Sequence, residues 1–127
     1  MDKEKLEYYF EMKRRNRLIP VRDKNGCLAG FFTFFIGNGN PQKYVNKDSW
    51  SVVDDETNGD TCYIDHLIRN TEYKQRVNSF SVWKSLKQYI KLNYPLVNKL
   101  RWNRWKNNKV KTHLKYLKNK EEQNETV

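Results

Sequence analysis

Between Thr61 and Asn93 the chain reads as a strand, a polar elbow and a helix in direct succession, and the rest of the fold has to be built around that order. Cys62-Tyr63-Ile64-Asp65-His66-Leu67-Ile68 is a strand-like, mainly apolar run. The elbow from Arg69 to Asn78 is polar. Beyond it Phe80, Trp83, Leu86, Tyr89 and Ile90 recur at spacings of three and four, with Asn78 or Ser79 to cap the start and Tyr94-Pro95 to end the helix. Lys84, Lys87 and Lys91 line its opposite face. A strand that feeds a helix through a polar turn brings several backbone N–H groups and the positive helix end to one point, which suits an anion such as pyrophosphate. Lys74 and Arg76 add charge there. An ordinary strand-to-helix connection carries the same pattern without a ligand.

The flanking segments supply the remaining elements. Asp2 to Asn16 places Leu6, Tyr9, Phe10 and Lys13 at helical spacing, with Asp2 as a cap and Arg14, Arg15 and Arg17 near the C-terminal end. Its aromatic stripe is expected to face the core. Leu18–Arg22 and Cys27–Ile36 flank Asp23-Lys24-Asn25-Gly26, a hairpin turn by its Asn-Gly pair. Pro20 favours an edge position for the first arm. The second arm is apolar on both faces, as a covered central strand is, and Gly30 marks a candidate bulge. From Gly37 to Asp60 the pattern dissolves into a long loop with Trp50-Ser51-Val52-Val53 as its apolar island, a lid or docking surface by its length. After Pro95, Leu96–Trp105 and Val110–Tyr116 alternate on either side of Lys106-Asn107-Asn108-Lys109 and predict a second hairpin. One face is expected to carry Leu100 and Trp102, and the other, basic, to present Trp105 and His113.

At 127 residues and 15.5 kDa the chain is sized for one domain, expected over residues 1–117, with a charged, disordered tail over Lys118–Val127. Its formal net charge is +10, and no Asp or Glu stands between Glu72 and Glu121. The C-terminal half is therefore the basic one, and an anionic partner such as nucleic acid or an acidic protein is one consequence, solubility alone another. Cys27 and Cys62 each sit in an apolar run, which predicts buried, reduced thiols and no metal pair. Met1–Arg17 is charged throughout, and no apolar run approaches the roughly 20 residues that span a bilayer. A cytoplasmic protein without membrane contact is the expectation.

The order helix, hairpin, long loop, strand, elbow, helix, strand resembles the GNAT superfamily of acyl-coenzyme A N-acyltransferases. Tyr63-Ile64-Asp65-His66-Leu67 followed by Thr71-Glu72-Tyr73-Lys74 is similar to that family's central strand and its approach to the pyrophosphate loop. The resemblance implies an α+β fold with a mixed, mainly antiparallel sheet, flanked by an N-terminal and a central helix and here completed by a C-terminal β-hairpin. It also implies transfer of an acyl group, acetyl above all, from acetyl-CoA or another acyl-CoA to an amine or hydroxyl acceptor. Cofactor contacts then fall on Leu67, Ile68, Lys74, Arg76, Val77, Asn78, Ser79 and Ser81. The family's loop begins with Gln or Arg and is glycine-rich; the two registers here, Lys74-x-x-Val77-x-Ser79 and Arg76-x-x-Ser79-x-Ser81, contain no glycine. A base near the acyl carbonyl is needed, and Asp65 and His66, on opposite faces of the strand, are the candidates. Each also has a structural alternative, a satisfied core histidine and a carboxylate paired with lysine. Small size, abundant Asn and Lys and the altered loop together suggest a phage or mobile-element protein.

A second class of function comes from the basic hairpin. Arg101, Arg104, Lys109 and Lys111 around Trp105 suit a non-catalytic module in which charges hold phosphates and an aromatic ring stacks on bases. A structural scaffold protein is the third reading.

Overall fold

The computed structural model describes residues 3–38, 54–56, 58–72, 79–107 and 109–117. They form α1 (Lys3–Arg14), β1 (Leu18–Arg22), β2 (Leu28–Gly37), β3 (Thr61–Arg69), α2 (Ser79–Asn93), β4 (Lys99–Lys106) and β5 (Lys109–Tyr116). The strands make one five-stranded sheet in sequence order. β1–β2 and β4–β5 are antiparallel, whereas β3–β4 are parallel and joined through α2, the long crossover that a parallel pair requires. The expected α+β class with two helices and a terminal hairpin is what the chain adopts. The Asp2 cap, the Trp50–Val53 island, most of the elbow and the tail from Lys118 lie outside the described residues. Two compact units divide the chain, 1–34 with 66–87 and 35–65 with 88–127, so β2, β3 and α2 each contribute to both.

In the first unit, α1 ends in a Schellman turn. Arg17 N–H donates to Met12 O at 2.8 Å and Asn16 N–H to Lys13 O at 3.1 Å, with Asn16 at φ 61°. Asparagine tolerates this left-handed conformation better than most residues do. The buried Arg17 then holds the start of β1 in place: its carbonyl accepts from Phe34 N–H at 3.1 Å, and its guanidinium lies 5.3 Å from the Phe34 ring centroid. Met12 is the fully buried residue of α1, while Leu6 and Phe10, expected in the core, are 43% and 63% exposed. Tyr8, Tyr9 and Met12 share one sector of the helix roughly 100° wide, and that sector faces the sheet; Leu6 and Phe10 fall outside it.

Pro20 stands on the edge strand β1, where a missing amide donor costs no ladder bond. The register passes from Val21↔Gly30 to Arg22↔Leu28, a bulge at the expected position. Cys27 is exposed, contrary to its expected burial. It belongs to the turn, where its N–H donates to Asp23 Oδ1 at 2.9 Å, and the strand starts one residue later. A Cβ on Gly30 would collide with the Ile68 carbonyl oxygen and press on Val82 Cγ2. Glycine thus lets β2 approach both the end of β3 and the start of α2. Because Gly30 faces α2 while Thr33 and Phe31 touch α1, the two helices cover opposite faces of β2. Phe32, Phe34, Val82 and Leu86 are buried between these layers, each contributing about 1.5–3 kcal/mol by leaving water. Val82, absent from the expected stripe, replaces Trp83, which is only half-buried.

The second unit centres on Phe35, Ile36, Cys62, Tyr63, Ile64, Ile90, Val97 and Leu100. The Phe35 and Tyr63 rings stack at 6.5 Å. The acidic end of the long loop is engaged in this unit. Asp55 Oδ1 accepts from Ile36 N–H at 2.8 Å, and Glu56 N–H donates to Ile36 O at 2.6 Å. Asp60 accepts from the Thr61 hydroxyl at 2.7 Å and pairs with Lys99 Nζ at 3.3 Å, while its carbonyl receives Asn98 N–H and Lys99 N–H. β3 and β4 are registered from Thr61↔Lys99 to Ile64↔Trp102. The β4–β5 hairpin closes at Lys106↔Lys109, with Asn107 at φ 53° in its turn.

Candidate functional site

His66 is where polar side chains from three elements of the first unit converge. β3 presents its half-buried imidazole to α1, and the Tyr9 hydroxyl lies 3.0 Å from Nδ1. The Tyr8 ring packs against the imidazole at 5.1 Å and the Tyr9 ring meets it edge-on at 5.6 Å. Phe31 of β2 abuts Tyr9 at right angles, at 5.4 Å. Thr33 ties the group together: its Oγ1 accepts from His66 N–H at 3.0 Å and shares a hydrogen bond of 3.0 Å with the Tyr8 hydroxyl.

Two tautomers satisfy the Tyr9–His66 bond. When Tyr9 donates, Nδ1 is the acceptor and Nε2 carries the proton, so the imidazole offers a donor to a ligand. When Nδ1–H donates to the Tyr9 oxygen, Nε2 is left with a free lone pair and can take a proton. A histidine held in this way, half-buried and fixed on one nitrogen, has the geometry of an acid–base group.

Of the two candidate bases, then, His66 has its orientation determined by named partners, and Asp65 is a half-buried neighbour on the same strand. Leu67 is half-buried and Ile68 exposed at the end of β3. Lys74, Arg76, Val77 and Asn78 lie outside the described residues, and Ser79 and Ser81 are the first and third residues of α2. The first turn of α2 contains no acidic residue, which leaves its positive end uncompensated from within. Tyr8, Tyr9 and Thr33 escaped sequence reasoning as site residues. Periodicity shows that an aromatic stripe is apolar and leaves open which strand it meets.

The β4–β5 hairpin differs from expectation in two respects. Arg101, an expected phosphate ligand, is 7% exposed, since its position pairs with Tyr63 on one side and Leu114 on the other. His113 pairs with Trp102, not with the face assigned to Trp105; the two rings stack at 5.3 Å with only 9° between their planes. The basic side chains Arg104, Lys111 and Lys115 therefore share a face with the half-buried Trp102 and His113, and the row ends on the β4 side at the buried Leu100. The Trp105 side chain is outside the description.

Among the described residues, no helix is long and apolar enough to cross a membrane. No family model and no curated protein matches the sequence. A solved structure, the loading GNATL domain of CurA from Lyngbya majuscula, is similar at a TM-score of 0.56 and 16% identity, over 81% of this chain and 50% of that one. The chain thus spans about half the length of that structural neighbour. Among the described residues, the sheet order β1-β2-β3-β4-β5 with β3 and β4 parallel, the helices α1 and α2 and this neighbour together make the fold GNAT-like.

Proposed function

We propose that the chain transfers an acyl group from coenzyme A to an amine or hydroxyl acceptor, with His66 as the base and Tyr9 as the residue that positions it. The observation that carries this reading is the 3.0 Å contact between the Tyr9 hydroxyl and His66 Nδ1 on the strand that precedes the α2 helix. Acyl-CoA, when bound, supplies a thioester carbonyl that the acceptor attacks, with release of the thiol. His66 Nε2 then takes the acceptor's proton, directly or through water, while Tyr9 holds the ring. Asp65 is the alternative base from the same strand. Leu67 and Ile68 offer backbone groups to the cofactor, and Ser79 and Ser81 stand in the first turn of α2, whose amides and positive end fit a pyrophosphate. Lys74 and Arg76 would add charge to that cradle, with Val77 and Asn78 between them and the helix.

The test is thermal unfolding of the full chain with acetyl-CoA and with free coenzyme A. A ligand that binds only the folded state stabilises it by about 2.7 kcal/mol at a hundredfold excess over Kd. A rise in Tm that persists in His66→Gln, together with loss of acyl transfer to a polyamine or peptide acceptor in that variant, is the expected result. No rise at millimolar cofactor removes the acyltransferase reading and leaves a GNAT-like scaffold.

A further inference from the structure

The register of the β4–β5 hairpin gathers residues that are scattered in the sequence. Position pairs Leu100↔Lys115, Trp102↔His113 and Arg104↔Lys111 fall on one face, because directly paired residues of an antiparallel ladder point to the same side, and Lys109 shares that side two residues before Lys111; Leu100, at the far end of the row, is buried in the core. Arg104, Lys109, Lys111 and Lys115 are exposed. Trp102 and His113 lie among them, half-buried and stacked nearly parallel. The alternate positions of β5 are Thr112, Leu114 and Tyr116, so its charge is confined to a single side. No acidic residue occurs between Glu72 and Glu121 to neutralise it from within this part of the chain.

We infer that this face of the hairpin binds single-stranded nucleic acid, with Arg104, Lys109, Lys111 and Lys115 on the phosphates and an unpaired base continuing the Trp102–His113 stack. Same-face residues along a strand repeat every ~6.7 Å, which gives an extended backbone a row of cations to follow. An aromatic platform set among those cations matches the general requirement for binding single strands: charge for the backbone, ring faces for the bases. Carboxylates of an acidic protein use the charge and have no use for the stack. β5 is an edge strand, and lysines on an edge discourage pairing with another sheet. That purpose is served by lysines pointing to either side, and it does not call for a stacked pair of rings.

The experiment is fluorescence anisotropy of the full chain with labelled dT20 and U20 across a series of NaCl concentrations, with polyglutamate as competitor. Four phosphate contacts predict a slope of log K against log salt of about −3, from roughly −0.7 per contact for single strands. Arg104→Gln/Lys111→Gln removes two exposed cations and should lower the slope by about 1.4. Trp102→Ala should weaken binding about ten- to a hundredfold at constant salt; His113→Ala, a milder change on the same stack, should weaken it in the same direction if Trp102→Ala does not fold. No binding of either oligonucleotide overturns the inference. So does affinity unchanged in the double variant, which would move the contact elsewhere on the chain. Equal displacement by polyglutamate with no effect of the aromatic variants would assign the face to acidic proteins instead.

Discussion

The Tyr9 hydroxyl lies 3.0 Å from Nδ1 of His66, a hydrogen bond between α1 and β3 across 57 positions of sequence. Tyr9→Phe removes the hydroxyl and keeps the ring contacts with Phe31 and His66. It is expected to lower unfolding stability by about 1 kcal/mol, the net contribution of one such bond. The ratio of the Nδ1–H and Nε2–H tautomers of His66, read from its ring 15N shifts, should change as well. An unchanged ratio would mean that packing alone orients the imidazole.

Gly30 and Gly59 mark two places where backbones meet with no room for a side chain. A Cβ on Gly30 would collide with the carbonyl oxygen of Ile68, and one on Gly59 with the Gly37 backbone. Backbone atoms cannot swing aside as a flexible side chain can. Each alanine substitution should therefore cost about 1–3 kcal/mol or more in urea unfolding, whereas Gly26→Ala meets no neighbour and pays only for its φ of 84°.

Asn16 offers a change of opposite sign. Its φ of 61° closes α1, and glycine adopts that conformation without steric cost. Asn16→Gly should be neutral or raise stability slightly, while Asn16→Val should lower it by about 1–2 kcal/mol. Equal Tm values for the two variants would argue against the left-handed turn.

Glu11 should give the stability a defined acid limb. Arg14 donates to its carboxylate at 2.6 and 3.0 Å and Arg15 at 2.7 Å, and these bonds hold its pKa at about 2, below the ordinary 4.5. The unfolded chain loses those partners and titrates near the ordinary value, so it binds more protons than the folded chain between these limits. The contribution of the cluster is complete above the ordinary value and is lost as pH falls towards about 2. Tm measured against pH should show Glu11→Gln below the parent by a constant amount near neutrality, with the gap closing in that acid window. Added salt should narrow it throughout, because the cluster lies at the surface.

What the sequence determined by itself was local. The apolar run from Cys62 to Ile68, the three-and-four spacing from Phe80 to Ile90, Asn25-Gly26 and Tyr94-Pro95 specify strand, helix, turn and stop through neighbours only a few residues apart. Their order was enough to suggest the α+β class and the GNAT-like arrangement. Tertiary structure decided which side of each element is used. Helical periodicity did not distinguish the Tyr8–Tyr9–Met12 sector from Leu6 and Phe10, since both are apolar and only the partner strand selects between them. Nor did the alternation of the second hairpin reveal its register. Closure at Lys106↔Lys109 put His113 beside Trp102, and pairing of β4 with β3 put Arg101 between Tyr63 and Leu114, where water has little access. His66 was legible as a strand residue of the right chemistry. Its environment was not, because Tyr8, Tyr9 and Thr33 reach it only when three distant segments pack together.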